Sequence, residues 1–415
     1  MITRRTVTIC LAATAGATVL PRRNAVSQSG PIRIGFLTVA SGALAAGGRQ
    51  LDEGIKLFLK ERNNTIAGRP VEIIFADTAG QPANTRTKTQ ELVERNKVHV
   101  ILGPLAAFEA LAINDYIQQN ETPIVSDSAA AEDLTQRKLN PWFIRVVPTS
   151  AQTTHPTAHY AATVLKHRRI ATIADDFAFG HEHTAGFQRV FEDNGGKIVQ
   201  KLWPPLNVAD YGSYIAQIKR DVDAIYAGFA GANGLRFLKQ YGEYGLAGRL
   251  PVYGQMTTVD EGILKNMDNY ALGVISGGWY SAAIDTPTNK KFVESVRRDY
   301  NADPGYYTTG AYLGGMAVEA AAKAVNGNVE DKKAFMAALR KTNIADTPAG
   351  PLKIDEYGNP IFNVYIRKVE RKDGRLVNSV IHTYPNVSQF WSYDPKAFLA
   401  NPVYSRDFPP AKNLE

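Results

Sequence analysis

Residues 123–134 read Pro-Ile-Val-Ser-Asp-Ser-Ala-Ala-Ala-Glu-Asp-Leu. The β-branched pair Ile124-Val125 runs into Ser126, Asp127 and Ser128, then three alanines, then Glu132-Asp133. The pattern predicts a buried strand that stops at a polar loop and feeds a helix start. Ser128 suits the N-cap and the two acids suit the first turn. Small side chains leave the backbone N–H groups of such a loop uncovered, so it can receive an anion. Taken alone, the stretch is better read as an ordinary strand-to-helix turn, and its surroundings decide between the two readings.

Towards the N-terminus the same alternation recurs. Residues 31–39, 71–76 and 98–102 read as strands, with helices between them and another after the last, running to residue 117. Strand and helix at this spacing argue a parallel, doubly wound sheet. In such sheets ligands sit beyond the carboxyl ends of the strands. Ser41, Leu105, Ala106, Ala107 and residues 126–130 fall there.

Towards the C-terminus, residues 143–147 form a short strand closed by Pro148-Thr149-Ser150, and the pattern restarts. Residues 169–174, 197–203, 224–228 and 251–254 read as strands alternating with helices. Residues 274–280 are extended, and helices near 289–300 and 310–324 follow. The chain therefore holds two α/β units of similar build. Residues 350–355, 361–369 and 376–384 alternate apolar and polar, and Asp373-Gly374 is a turn signal, so an antiparallel hairpin is expected. The tail, residues 385–415, carries Phe390, Trp391, Tyr393, Phe398 and Tyr404 and is expected to pack on the body.

The chain has 415 residues, enough for two sizeable domains, with 44% hydrophobic and 21% charged residues. Arg4-Arg5 precede an apolar stretch from Val7 to Leu20, too short to span a membrane well. Ala25-Val26-Ser27 offers small residues for cleavage, so residues 1–27 read as a bacterial secretory signal. Thr3-Arg4-Arg5 also fits a twin-arginine export signal loosely. Removing residues 1–27 takes away Arg4, Arg5, Arg22 and Arg23 and lowers the formal charge from +7 to +3. That is too mild for a polyanionic partner, and nucleic-acid binding is not expected. The single cysteine, Cys10, lies inside the signal core. The mature chain is therefore expected to carry no disulfide and no thiolate metal site.

Residues 42–49 look like a degraded phosphate loop without the Lys-Ser/Thr pair that contacts phosphate. There is no Gly-x-Ser-x-Gly elbow and no His-Glu-x-x-His. In His181-Glu182-His183 the two histidines do not share a helix face, so a surface or rim position is expected. His155 and His159 flank Pro156 at a helix start, where capping or solvent exposure is expected. Phe179 and Phe229 follow strand ends of the second unit, facing the loops of the first, which favours a ligand cleft over core.

Several marks come in order: the first strand running into Thr38 and the Gly/Ala loop to Gly48; Gly103-Pro104; Ser128-Ala129-Ala130 followed by Leu134-Thr135-Gln136-Arg137; Phe179-Gly180; and Gly350-Pro351-Leu352-Lys353-Ile354-Asp355. With these the sequence resembles the periplasmic substrate-binding proteins of branched-chain-amino-acid-type ABC transporters, the Leu/Ile/Val-binding family, over residues 31–384. The resemblance implies an α/β, two-lobed type I periplasmic binding protein. Each lobe is then a doubly wound parallel sheet, and three crossovers join them. Lobe 1 would be residues 31–148 plus 280–349, and lobe 2 residues 149–279 plus 350–384. A ligand would bind between them and be buried by hinge closure.

By the same resemblance the loops of Ala106-Ala107 and of Ser128, Ala129 and Ala130 would hold a ligand carboxylate through backbone N–H and hydroxyl groups, and Ser41, at its strand end, is a further ligand-binding candidate. Ala106 and Ala107 replace a usual serine region. Amino-acid binders of the family pair the ligand ammonium with a carboxylate after the Gly of the strand near Gly254. Here Gly254-Gln255-Met256-Thr257 offers none, and burying an unpaired ammonium is costly. The aromatic positions match Phe179, Phe229 and Tyr307, with Trp279 and Tyr280 close by, and ring walls suit a planar apolar body. Met256 would add a soft contact to a ring, and Thr257 or Gln255 would receive a ring hydroxyl. The implied protein is a soluble, monomeric periplasmic receptor that passes a small aromatic carboxylate (benzoate, hydroxybenzoate or cinnamate type) to an ABC permease. No cofactor and no enzymatic step are expected. The alternatives are a branched-chain amino acid or amide binder, or the sensing module of a signalling system.

Overall fold

The computed structural model describes residues 30–415; the expected signal segment, with Arg4, Arg5 and Cys10, lies outside the described residues. The first sheet is built from β1 (Ile32–Thr38), β2 (Thr65–Ile66), β3 (Arg69–Asp77), β4 (Val100–Leu102), β5 (Ile124–Ser126) and β6 (Phe143–Arg145), in the order β2-β3-β1-β4-β5-β6. All pairings are parallel except that of the two-residue β2 with β3. Ile34, Phe36, Val100, Ile101, Ile124 and Val125 are fully buried. Helices cover both faces, which is why these strands read as unbroken apolar runs.

The helices Ala45–Lys60 and Tyr306–Ala324 pack tightly on this sheet. A Cβ at Gly54 would lie 2.2 Å from the Thr308 carbonyl oxygen, so only glycine permits the approach. Phe58, Leu313, Val318 and Phe335 belong to the same apolar core as β1.

The second sheet holds β7 (Arg169–Ala174), β8 (Lys197–Leu202), β9 (Ala224–Gly228), β10 (Val252–Gln255), β11 (Ile275–Gly278), β12 (Asn343–Ile344), β13 (Leu352–Ile354), β14 (Pro360–Lys372) and β15 (Arg375–Val387). Its order is β12-β13-β14-β11-β10-β9-β7-β8, with β15 on β14. The β7 to β11 core is parallel, and β14 joins β11 antiparallel. The chain passes between the sheets after β6, after β11 and before β12. The fold is thus the two-lobed α/β architecture that the alternation and the resemblance imply. The predicted hairpin is β14–β15, turned by Asp373 and Gly374 at φ of 49° and 77°.

Three local expectations are corrected. Ser128 caps no helix: the next helical turn is the short one at Glu132–Thr135, with Ala131 at its N-cap. The Ser128 hydroxyl instead donates to the Leu105 carbonyl at 2.9 Å, tying two loops of the sheet together. His155 is fully buried, its ring set edge-on to Tyr393, Phe398 and Tyr404, because the C-terminal tail covers that helix. Glu182 and His183 are buried rather than on a rim, since their helix, Ala178–Asp193, packs under both the tail and the sheet. The helix Lys332–Arg340 was not foreseen; Asp331 caps it, accepting the Ala334 N–H at 3.0 Å, and Phe335, Met336 and Leu339 form its buried face.

In the tail, Phe390, Phe398 and Tyr404 are buried. Arg137, after the first sheet's β5 loop, donates to the carbonyls of Phe398, Asn401 and Pro402. At its far end Glu415 pairs with Arg169 of β7 at 2.7 Å.

Candidate ligand cavity

Loops at the carboxyl ends of both sheets meet around a cavity of about 20 Å³, lined by Leu44, Leu105, Ala106, Ala107, Ser128, Ala130, Phe177, Phe179, Ala230, Thr257, Tyr306 and Tyr307. That is room for about one water molecule, so the walls stand closed on the site. No side chain on its wall carries a charge.

One end is built from backbone. After β4 the chain enters the helix Ala107–Gln119, and Glu109 in its first turn accepts the Ala106 N–H at 2.8 Å. Among the described residues no group accepts the N–H of Ala107 or Phe108. The neighbouring loop behaves alike: the carbonyls of Ser128, Ala129 and Ala130 are engaged, while no described group accepts the N–H of these three residues. The Ser128 carbonyl accepts the Tyr306 hydroxyl at 2.8 Å. Unpaired N–H groups of a helix start and an adjoining loop make a neutral cradle with positive potential, suited to an anion.

The other end is aromatic. Phe177 and Phe179 lie with ring centroids 5.9 Å apart, and Tyr306 and Tyr307 5.1 Å apart. Phe179 sits edge-on to buried His183 at 4.8 Å. The Tyr307 hydroxyl accepts the Gly231 N–H, and burial holds its phenol well above the usual range, so it is a neutral donor. The Asp175 carboxyl secures this wall, accepting the Ala230 N–H at 2.8 Å and the Asn233 amide at 2.7 Å; burial raises it to about 7. The Thr257 hydroxyl lies 2.6 Å from the Phe229 carbonyl oxygen and 2.8 Å from Gln255 Oε1, so its proton is already used within the protein.

Of the residues singled out from sequence, Ala106, Ala107, Ser128, Ala130, Phe179, Thr257 and Tyr307 line this cavity. The others lie elsewhere. Ser41 is exposed. Ala129 is buried behind the loop, its carbonyl accepting the Ser126 hydroxyl at 2.9 Å. Phe229 is fully buried in the second lobe's core, with centroids 5.3 Å from Tyr211 and 4.7 Å from Phe237. Its ring turns inward because the loop after β9 is held by Asp175 and Thr258, the latter accepting the Phe229 N–H at 3.0 Å. Met256 is buried against Gly278 and Arg367. The Tyr280 hydroxyl donates to Asn289 at 2.9 Å, inside the core of the first sheet. Sequence reasoning did not assign Leu44, Phe177, Ala230 and Tyr306 to the wall. Phe177 and Tyr306 adjoin predicted aromatics, and that adjacency was the available signal.

The Met256 carbonyl is engaged from within the protein. Arg367 of β14 is fully buried there, donating to the Met256 carbonyl at 3.3 Å and pairing with Glu261 at 2.8 Å.

Two α/β lobes with an uncharged cavity walled by loops from both define a small-molecule binding protein. Comparison with known proteins makes this specific: residues 31–375 match the periplasmic binding protein family, and the chain belongs to it. It is an ABC transporter substrate-binding protein of the Leu/Ile/Val-binding type. A Leu/Ile/Val-binding protein homolog of Brucella melitensis is 27% identical over 361 residues, 85% of this chain and 91% of that one. An ABC transporter substrate-binding protein from Sphaerobacter thermophilus superposes with a TM-score of 0.81 at 35% identity, over 86% of this chain and 99% of that chain. A solute-binding protein from Rhodopseudomonas palustris BisB5, solved with 3,4-dihydroxy benzoic acid, superposes at 0.83 with 32% identity, over 86% and 98%. Among the described residues, no helix is long and apolar enough to cross a membrane.

Proposed function

We propose that this protein captures a single-ring aromatic carboxylate between lobes formed by residues 31–148 plus 280–349 and 149–279 plus 350–384. It then delivers the acid to the permease of an ABC transporter. One observation carries the reading: an unpaired backbone N–H cradle faces aromatic walls in a cavity without a charged side chain. The cradle suits the carboxylate and Phe177, Phe179 and Tyr307 suit the ring. The solved relative with 3,4-dihydroxy benzoic acid supports it. The Leu/Ile/Val names of other relatives favour an α-amino acid, but an ammonium would find no anionic partner on this wall. Export behind residues 1–27, cleavage near Ser27 and action as a monomer belong to the same proposal.

Thermal shift of the purified mature chain tests it. Benzoate, 4-hydroxybenzoate and cinnamate should raise the melting midpoint progressively with concentration. A shift with leucine or isoleucine and none with the aromatic acids would overturn it.

A further inference from the structure

The carbonyls of residues 129–131 all point away from the cavity to partners behind the loop. Ala129 O accepts the Ser126 hydroxyl at 2.9 Å and Arg145 Nη1 at 3.4 Å, and Ala131 O accepts Arg145 Nη2 at 2.5 Å. Ala130 O, between them, accepts the Ser150 N–H at 2.8 Å and hydroxyl at 3.0 Å. Arg145 ends β6 and is fully buried. A trans peptide sets its N–H opposite its C=O. Holding the Ala129 carbonyl on one side therefore turns the Ala130 N–H to the other, and Ala130 lines the cavity.

We propose that Arg145 is the positioning residue for the ligand anion, aiming the peptide groups of Ala129 to Ala131 and passing its positive charge through their dipoles to the carboxylate. The inference deepens the reading given above and rests on it for the ligand class. A buried cation behind a neutral cradle attracts an anion without touching it, and the low dielectric of the interior preserves the effect. Burial lowers the Arg145 guanidinium only to about 10, so it stays charged at neutral pH. The carboxyls facing it are Glu132, Glu182 and Asp355, with the Tyr306 hydroxyl. Burial raises both Glu132 and Glu182, Glu182 the further with Glu132 beside it, and raises Asp355 to about 6, so Glu132 and Asp355 are the carboxyls that oppose the guanidinium. Glu132 is itself tied down, accepting the Ala151 N–H at 2.7 Å and the Gln136 amide at 2.5 Å.

The test is the titration of bound benzoate, carrying carbon-13 in its carboxyl, followed by NMR in wild type and Arg145→Met. The variant should bind benzoate tenfold or more weakly. Its bound carboxyl should titrate about one pH unit higher than in wild type, because the cation that favours the ionised form is gone. A merely structural role weakens binding without moving that titration, and an unmoved titration overturns the proposal. Arg145→Lys should restore part of the difference. Should Arg145→Met fail to fold, Glu132→Gln serves: removing the opposing charge should lower the bound carboxyl's titration and tighten benzoate several-fold, and no change in either overturns the proposal. Failure of the aromatic reading looks different. Wild type would then refuse benzoate but bind 4-methylpentanoate, on which the same titration decides the role of Arg145. A wild-type protein that binds no carboxylate at all overturns both.

Discussion

The Asp260 carboxylate accepts the backbone N–H of Tyr306 at 2.6 Å. Asp260 follows β10 of the second sheet, and Tyr306 opens the helix that packs on the first. The N-cap of that helix is Gly305, which has no side chain to serve the free N–H groups, so the other lobe supplies the cap. The expected outcome of opening the cleft is loss of this bond, which makes the pair a predicted closure latch. A Cβ at Gly305 would lie 2.2 Å from Asp260 Oδ1. Gly305→Ala should therefore hold the lobes apart, with benzoate binding at least tenfold weaker by calorimetry and a larger radius of gyration in scattering with ligand present. Wild-type affinity in this variant would refute the latch.

Phe179 and Phe229 should separate cleanly. Phe179→Ala removes a cavity wall and should weaken benzoate roughly tenfold or more with little loss of stability. Phe229→Ala empties a core position and should cost about 3–5 kcal/mol in denaturant unfolding. Affinity measured well below the unfolding transition should change far less than in Phe179→Ala. The opposite assignment of effects would place the stacking ring in the wrong loop.

Tyr307→Phe keeps the ring and deletes the hydroxyl. The ring wall stays and the carboxylate lies in the cradle at the other end, so benzoate should bind within about threefold of wild type, whereas Tyr307→Ala should weaken it roughly tenfold or more. A large loss of benzoate in Tyr307→Phe would show that the hydroxyl, not the ring, is what the ligand uses.

Asp127, one residue before Ser128, is fully buried, and neither carboxyl oxygen has a hydrogen-bond partner among the described residues. Burial raises it to about 8. A carboxyl raised in the folded state favours folding below its unfolded pKa, and that advantage is lost as pH climbs to the folded value. Stability should therefore fall between about pH 4 and pH 8, by at most about 1.4 kcal/mol per pH unit from this group. In Asp127→Asn, urea unfolding across that range should show a shallower decline and greater stability at pH 8. An unaltered slope would mean that Asp127 is ionised in the folded protein.

The fold was legible because its signals are local and repeated: apolar strands of similar length, helices between them, Asp373-Gly374 between two alternating runs. The cavity was legible where position along a strand decides it, as at Ala107, Ser128 and Phe179. It was not legible where rotation about a loop decides. Phe229 and Ala230 are neighbours at one strand end, and only the bonds to Asp175 and Thr258 determine that the alanine faces the cavity and the phenylalanine the core. The burial of His155 depends on a tail almost 250 residues away, as its 3.1 Å contact with the Tyr404 hydroxyl shows. No pattern near Pro156 carries that information.

The strap formed by the tail bears on when the molecule can become itself. β11 waits for β14, Arg137 for Asn401 at a separation of 264 residues, and Arg169 for Glu415 at 246. No fragment that stops before β14 holds a finished second sheet, and the Glu415 contact closes onto a strand 246 residues earlier. Contacts this distant along the chain make folding slow.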